Sequence, residues 1–418
     1  MKRYLICLLI LALSPALWGQ DLGRFEEVTA GNFFGLGARQ MSMGGAGIAA
    51  SLDGAALYYN PAALARIHRI EFQLGLTHQK FSNETSQEPG RYDSLASIVN
   101  SAGIDQTKTR LGSLILTIPV PTYRGSLSVA FGINRIMSFD RASLFNVIDR
   151  RADGLVVDDY SKEFETGSIY LYSAGAGIEV SPSLSVGLAL NVYSGKDDFI
   201  YNYSYLDETN DYSESLRRQV TEDYIGASLK GGLLARPNDR LAIGLTVETP
   251  LDWQVEQTVL EGDIGETVEY DLMRPFIFGT GAAFSIGRLT LTGDAEYADW
   301  SQMSYNDNPD MEIDNDSLTL LYRDVVTLRG GAEYQFPNLG LALRAGLFSQ
   351  PLPYDKPFIE KDQKGFSLGA GWLIDQILLL EVAYLDGSFT RRYTPANGIP
   401  ALADDSYRRV YATLSYRY

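Results

Sequence analysis

The feature that most constrains this chain is a period-two alternation running from His68 to the C terminus. Leu184, Val186, Leu188, Leu190 and Val192 alternate with Ser183, Ser185, Gly187, Ala189 and Asn191. Leu127, Val129, Phe131 and Ile133 alternate in the same way with Ser126, Ser128, Ala130, Gly132 and Asn134. Successive side chains of a strand point to opposite faces, so each segment reads as a strand with one large apolar face and one small or polar face. A soluble sandwich shows this pattern too, with its apolar face turned inward.

The breaks between strands separate the two architectures. Short connections rich in Pro, Gly, Asn and Asp fall at 119–125, 180–183, 237–240, 286–288, 337–340 and 374–376, as tight turns require. Long polar connections fall at 82–110, 140–166, 207–222, 260–266, 301–322, 350–364 and 387–406. The two kinds alternate, and together they join fourteen strands, with twelve or sixteen left open by the uncertainty of each boundary. An even strand number with short turns at one end and long loops at the other is the pattern of an outer-membrane barrel. No stretch after the N-terminal region approaches the roughly 20 apolar residues of a spanning helix. A membrane protein of this kind therefore spans as a closed barrel, because unpaired strand edges cannot sit in lipid. The last strand, with Val410, Ala412, Leu414, Tyr416 and Tyr418 on one face, ends on an aromatic residue, which resembles the assembly signal of bacterial outer-membrane barrels.

Composition narrows the function. Lys2 and Arg3 precede an apolar run from Tyr4 to Leu13 that is broken at Ser14-Pro15, with Gly19 as the small residue before the expected cut. Residues 1–19 thus read as a secretory signal, and the mature chain starts at Gln20 or Asp21. Losing Lys2 and Arg3 takes the formal charge from -17 to -19, which argues against nucleic-acid binding. Cys7 is the only cysteine, and it lies inside the signal, so disulfides and thiolate metal sites are excluded. The only histidines are His68 and His78. The one nucleophile-type grouping, His78 with Ser82 and Asn83, has no glycine-elbow motif, so no catalytic residue, metal ligand or cofactor is assigned. The acidic stretch 307–316 is either a solvated loop or an oxygen-rich cation loop, and it lacks a recognised spacing.

Residues 20–67 do not alternate and read as a plug of short helices and tight turns ahead of a barrel at 68–418. Asn60 before Pro61 is a good helix start: the Asn side chain can accept from an unpaired backbone N–H, and Pro is tolerated at the first helical position. Gly37-Ala38-Arg39 through Met43-Gly44-Gly45-Ala46, followed by Tyr59-Asn60-Pro61-Ala62, resembles the N-terminal hatch of the FadL/TodX family of outer-membrane transporters. The resemblance implies an all-β, fourteen-stranded barrel in the bacterial outer membrane. It implies passive uptake of hydrophobic small molecules, either long-chain fatty acids or aromatic hydrocarbons, with movement of the hatch and sideways exit through the wall. Its hatch residues here are Asn60, Pro61, Ala62, Gly44 and Gly45. PorV-like barrels of the type IX secretion apparatus carry similar segments, and under that alternative the partners are secretion components. The other expected partners are outer-membrane lipid and lipopolysaccharide.

Three further expectations concern the path itself. Gly132 either kinks the third strand to open a gap or only relieves packing there. Phe145 and Ile148, with Tyr201 and Tyr203, are candidates for a substrate groove among the outer loops. Tyrosines at alternate positions are more often members of an interfacial girdle than a ligand site.

Overall fold

The computed structural model describes residues 34–87, 97–100, 102–150, 156–207, 211–262, 264–306, 312–393 and 401–418. The signal segment, Gly31 to Phe33 of the plug and Asp307 to Asp310 of the acidic stretch lie outside the described residues.

Fourteen antiparallel spans close into a barrel. In chain order they are β1 (Glu71–Gln87), β2 (Ala102–Val120), β3 (Leu127–Ser138, resuming at Arg141–Arg150), β4 (Val156–Ser181), β5 (Leu184–Asp207), β6 (Tyr212–Asn238), β7 (Leu241–Glu248 and Leu251–Glu261), β8 (Ile264–Arg274 and Ile277–Ile286), β9 (Leu289–Asp299 and Ser304–Asn306), β10 (Asp324–Phe336), β11 (Leu341–Gln350), β12 (Ile359–Ile374), β13 (Leu378–Tyr393) and β14 (Ala401–Arg417). The short strand Ser97–Asn100 adds onto the upper half of β3. Closure is made by β1 against β14, from Glu71↔Arg417 to Gln87↔Ala401, so no edge faces lipid. All six expected short turns connect consecutive spans, which puts them and both barrel termini at one end.

The polarity is that of a membrane barrel. Leu188 and Leu190 are 57% and 51% exposed on the outer face of β5, while Ser185 and Asn191 on the inner face are 2% exposed. Leu184 to Val192 gives about nine residues of apolar outer face, the length a tilted strand needs to cross the hydrocarbon. Phe72, Tyr334, Trp372 and Tyr416 project outward near the turn end, and Tyr172, Phe276, Tyr297 and Phe366 near the other. They form the two aromatic girdles expected at the interfaces.

The stretches read as long loops are largely strand. β5 runs for 24 residues and β6 for 27. Beyond Val192 the outer face of β5 carries Ser194, Lys196 and Asp198. The ladder needs only backbone groups and continues into water, whereas the apolar alternation stops where the lipid stops. The acidic stretch differs likewise: Glu312–Leu321 is a helix, in which Asn315 bonds both the N–H (2.7 Å) and the carbonyl (3.1 Å) of Tyr305.

Prolines interrupt two spans. Pro250 and Pro275 lack the donor a ladder needs, and each break adds a residue that resets which positions face inward. On β7 the inward set passes from Ala242 and Glu248 to Leu251, Trp253 and Val255. An inverted pattern results above the break, with apolar side chains inside and Asp252, Gln254 and Glu256 outside.

Candidate functional site

Residues 34–67 form the plug: α1 (Ala38–Met41), α2 (Ala56–Tyr59) and a 3-10 helix (Pro61–Arg66) joined by turns, almost entirely buried inside the barrel. Helices this short satisfy few of their own backbone groups, and the barrel wall supplies the rest. Asp294 of β9 accepts from the N–H groups of Gly47 (2.7 Å) and Ile48 (2.9 Å). Glu71 of β1 accepts from Gly54 N–H (2.8 Å), Ser367 of β12 from Gly44 N–H (2.9 Å) and Thr413 of β14 from Ala38 N–H (3.0 Å). Arg39 donates to both oxygens of Glu333 on β10 (3.0 and 3.2 Å), and the same carboxylate takes Arg344 of β11 at 2.6 Å. Buried charges are tolerated only when paired and hydrogen-bonded in this way.

Close approach requires glycine on the wall. A Cβ at Gly187 would lie 2.3 Å from Ala62 N, at Gly232 2.1 Å from the Asn60 side chain, at Gly331 2.5 Å from Met43 Cβ and at Gly346 2.1 Å from Gly44 N. Gly177, Gly244 and Gly369 meet the plug at comparable distances, so the seat runs around much of the lumen. Gly44 and Gly45 both adopt positive φ, at 73° and 85°, which other residues reach only with strain. A Cβ on Gly44 would also strike Leu347 O at 2.4 Å.

The Asn60-Pro61-Ala62 turn is a hub. The Asn60 side chain accepts from Ala62 N–H (3.0 Å), as the sequence suggests for a helix cap. Its amide also donates to Ile48 O (2.9 Å) within the plug and to Leu233 O (3.0 Å) on β6. Tyr59, whose phenol is pushed well above its ordinary value by burial, stays neutral and bonds the N–H and carbonyl of Leu36 (3.1 and 2.9 Å).

Above the plug the lumen is lined by an aromatic and aliphatic cluster. Trp253 meets Tyr193 and Tyr224 edge-on at 5.3 and 5.9 Å between ring centroids, and Phe139 stacks on Tyr224 at 5.9 Å. Leu251, Leu272, Tyr305 and Leu352 complete the lining, and Tyr58 of the plug packs against its floor. Sequence reasoning missed this cluster. Its signal was present in the alternation of Leu251, Trp253 and Val255 with polar neighbours, whose apolar face turns inward only because of the break at Pro250.

The groove candidates are not gathered at one place. Phe145 is buried on the upper part of β3 and pairs with Ser161, whereas Ile148 pairs with Asp158 higher on the same span. Tyr201 and Tyr203 stack at 6.3 Å on β5. Both share the parity of Ser185 and Tyr193, so they face the lumen beyond the membrane band and are not girdle residues. The ladders run unbroken through Gly132, which pairs with Ile115 and Ser173. The irregularity of β3 lies further on, as a register shift between Arg135 and Met137 and a break at Phe139-Asp140. The β2–β3 ladder ends at Ser113↔Asn134, next to the level of Tyr172 in the outer girdle. His78 faces outward and bonds Thr109 (2.7 Å), while Asn83 is buried on the inner side of the same strand, so the nucleophile grouping does not assemble. Among the described residues no cluster of His, Cys, Asp or Glu could hold a metal ion.

Residues 28–393 match the family described as outer membrane protein transport protein (OMPP1/FadL/TodX). Solved structures share the fold at low identity. A Pseudomonas aeruginosa FadL homologue aligns with a TM-score of 0.64 at 14% identity, over 93% of this chain and 99% of that one. The P. putida toluene transporter TodX gives 0.59 at 14%, over 92% and 99%. The Ralstonia pickettii toluene transporter TbuX gives 0.54 at 14%, over 93% and 99%. Among curated proteins, none matches the sequence.

Proposed function

Because the chain belongs to the OMPP1/FadL/TodX family of outer-membrane transport proteins, whose barrels are transporters and not enzymes, we propose that it carries hydrophobic small molecules inward across the outer membrane by passive uptake. The substrate class is long-chain fatty acids or aromatic hydrocarbons. The observation that carries this reading is the pairing of an apolar, aromatic cluster packed around Trp253 in the upper lumen with a plug that fills the lumen directly beneath it. A fourteen-stranded barrel is wider than one that side chains commonly fill, and in the lower lumen the plug supplies the closure. A guest entering from the outer end gains by burying its apolar surface against Tyr193, Tyr224 and Trp253, at about 25 cal/mol per Å².

The plug blocks the way straight through, so in this reading the guest leaves sideways through the wall. In this reading Asn60, Pro61, Ala62, Gly44 and Gly45 hold the resting position of the hatch, and its shift opens the sideways route. Residues 1–19 direct export and are removed, so N-terminal sequencing of the mature protein should begin at Gln20 or Asp21.

Uptake of radiolabelled oleate and toluene by cells with and without the protein tests the function directly. Deleting residues 21–67 tests the plug: in planar bilayers the intact protein should be closed and the truncation conducting. A large steady pore in the intact protein would sink the hatch. Exported proteins recovered in pull-downs, with uptake unchanged on deletion, would favour secretion instead.

A further inference from the structure

Just beyond the lipid, the outward side chains of five neighbouring spans, β12, β13, β14, β1 and β2, fall into straight cross-strand rows. One row begins at the girdle residue Phe366 and runs through Asp386 and Arg408 to Lys80. The row beyond it runs Lys364, Ser388, Ser406, Ser82 and Asp105. Neighbouring strands lie about 4.8 Å apart, so this second row spans roughly 19 Å. Its three adjacent serines are small, and with Asp404 and Glu84 above them they line an outward concavity of about 900 Å³.

The first row holds an arrangement that the barrel does not need. Lys80 and Arg408 stand directly opposite each other in the closing ladder, and like charges so placed are destabilising. Each has an acid of its own, Asp105 at 2.7 Å from Lys80 and Asp386 at 3.3 Å from Arg408. The two cations are 42% and 66% exposed, and pairs as open as these contribute little to folding. Lys364, exposed at the end of the second row, has no ion-pair partner among the described residues. A phosphate carries up to about two charges and three acceptor oxygens, so one such group engages both opposed cations, where each carboxylate holds one. Serine hydroxyls both donate and accept, as bonding to sugar hydroxyls requires. Phe366 and Tyr384, 6.3 Å apart between ring centroids, mark the level at which the hydrocarbon ends beneath them.

We propose that this face of the barrel docks the phosphorylated sugar headgroup of an outer-leaflet glycolipid, the lipid A part of lipopolysaccharide. Its phosphate sits between Arg408 and Lys80, and its sugar hydroxyls lie against the serine row. Charge complementarity and position select this occupant: the opposed cations begin where the outer girdle ends, on the side of the wall that faces the membrane. The site rests on the barrel's place in the outer membrane and is independent of what the lumen carries.

The test titrates three probes into the full-length protein in neutral detergent, followed by microscale thermophoresis: diphosphoryl lipid A, the same lipid stripped of its phosphates, and dioleoyl phosphatidylglycerol. Diphosphoryl lipid A should bind at least about tenfold tighter than the stripped form, the least that one hydrogen bond to a charged group contributes, and tighter than phosphatidylglycerol. Arg408→Glu combined with Lys80→Glu should abolish that difference, while Arg408→Lys should keep most of it. Ser406→Leu fills the concavity and should weaken diphosphoryl lipid A severalfold, with phosphatidylglycerol unchanged. Lys196→Glu, a 51% exposed cation on the outer face of β5, should change nothing. Heat-modified gel mobility reports whether each variant folds. Equal binding of the stripped lipid or of phosphatidylglycerol, or an equal loss in Lys196→Glu, overturns the site. Loss of wild-type binding on adding EDTA also overturns it, because the contact would then run through a divalent cation on the acids. Oleate uptake, the closed pore and binding of apolar probes should be the same in all of these variants, so failure here leaves the uptake reading untouched.

Discussion

The lower lumen and the upper lumen of this barrel are closed by different chemistry. Below, the plug fills the space and is held by directed bonds, with wall carboxylates and hydroxyls aimed at single backbone N–H groups and wall glycines admitting close approach. Above, the wall's own side chains close in, and Trp253, Tyr193, Tyr224 and Leu272 touch one another through apolar contact. Directed bonds specify one arrangement and are lost together when geometry shifts. Apolar contact tolerates many partners of similar surface. The lower level is suited to holding a fixed seat and the upper to accepting variable guests, and each level can be broken separately.

The largest effect should come from the seat's glycines. Gly346→Val puts side-chain atoms where Gly44 N now lies, so the plug should be displaced outright and single-channel recordings should show a persistently open pore. Asp294→Ala comes next. It strands two buried plug N–H groups, at about 1–3 kcal/mol each, and should make the plug segment 34–67 accessible to proteases in the otherwise intact barrel. Asn60→Ala removes the cap and two further bonds; a cap alone accounts for about 1 kcal/mol, and bursts of opening rather than a steady pore are expected. Trp253→Ala should act on the other level only. It should weaken binding of apolar probes by about tenfold, within what truncating a buried aromatic costs, and leave the pore closed. If Trp253→Ala opens the pore, or Asp294→Ala abolishes apolar binding with the plug still protected, the two levels are not separable. The smallest effect should be at Lys80→Ala, whose partner Asp105 lies 2.7 Å away on the solvated outer face; no change in conductance or binding is expected there.

The barrel was legible in the sequence wherever lipid touches it. Leu184 to Val192 must alternate because one face meets hydrocarbon and the other the lumen, and the turns 180–183 and 237–240 carry the residues that tight turns demand. The Asn60-Pro61 cap was legible because it is a local rule between neighbours. Gly132 could be read two ways from the sequence: a glycine in a strand marks either a bend or a close approach, and here it faces Leu57 of the plug at 3.2 Å from where a Cβ would sit, with the ladder unbroken. The actual break, at Phe139-Asp140, carries no glycine or proline to announce it. The protruding strands were hidden for a different reason. Above the membrane both faces of a span are wet or half-buried, so the backbone ladder persists without an apolar code.

By itself, then, the sequence determined the strands that cross the lipid, the turn end and the existence of a compact segment before them, because each follows from the solvent a residue meets or from its immediate neighbours. Only the tertiary structure decided what faces what across the lumen. Asp294 reaches Gly47 from 247 positions away, and Arg135 and Arg409 meet over one phenylalanine from distant parts of the chain. Such meetings depend on the closure of β1 on β14, which leaves no periodic trace, because curvature of the wall, and not the order of residues along it, brings those groups together.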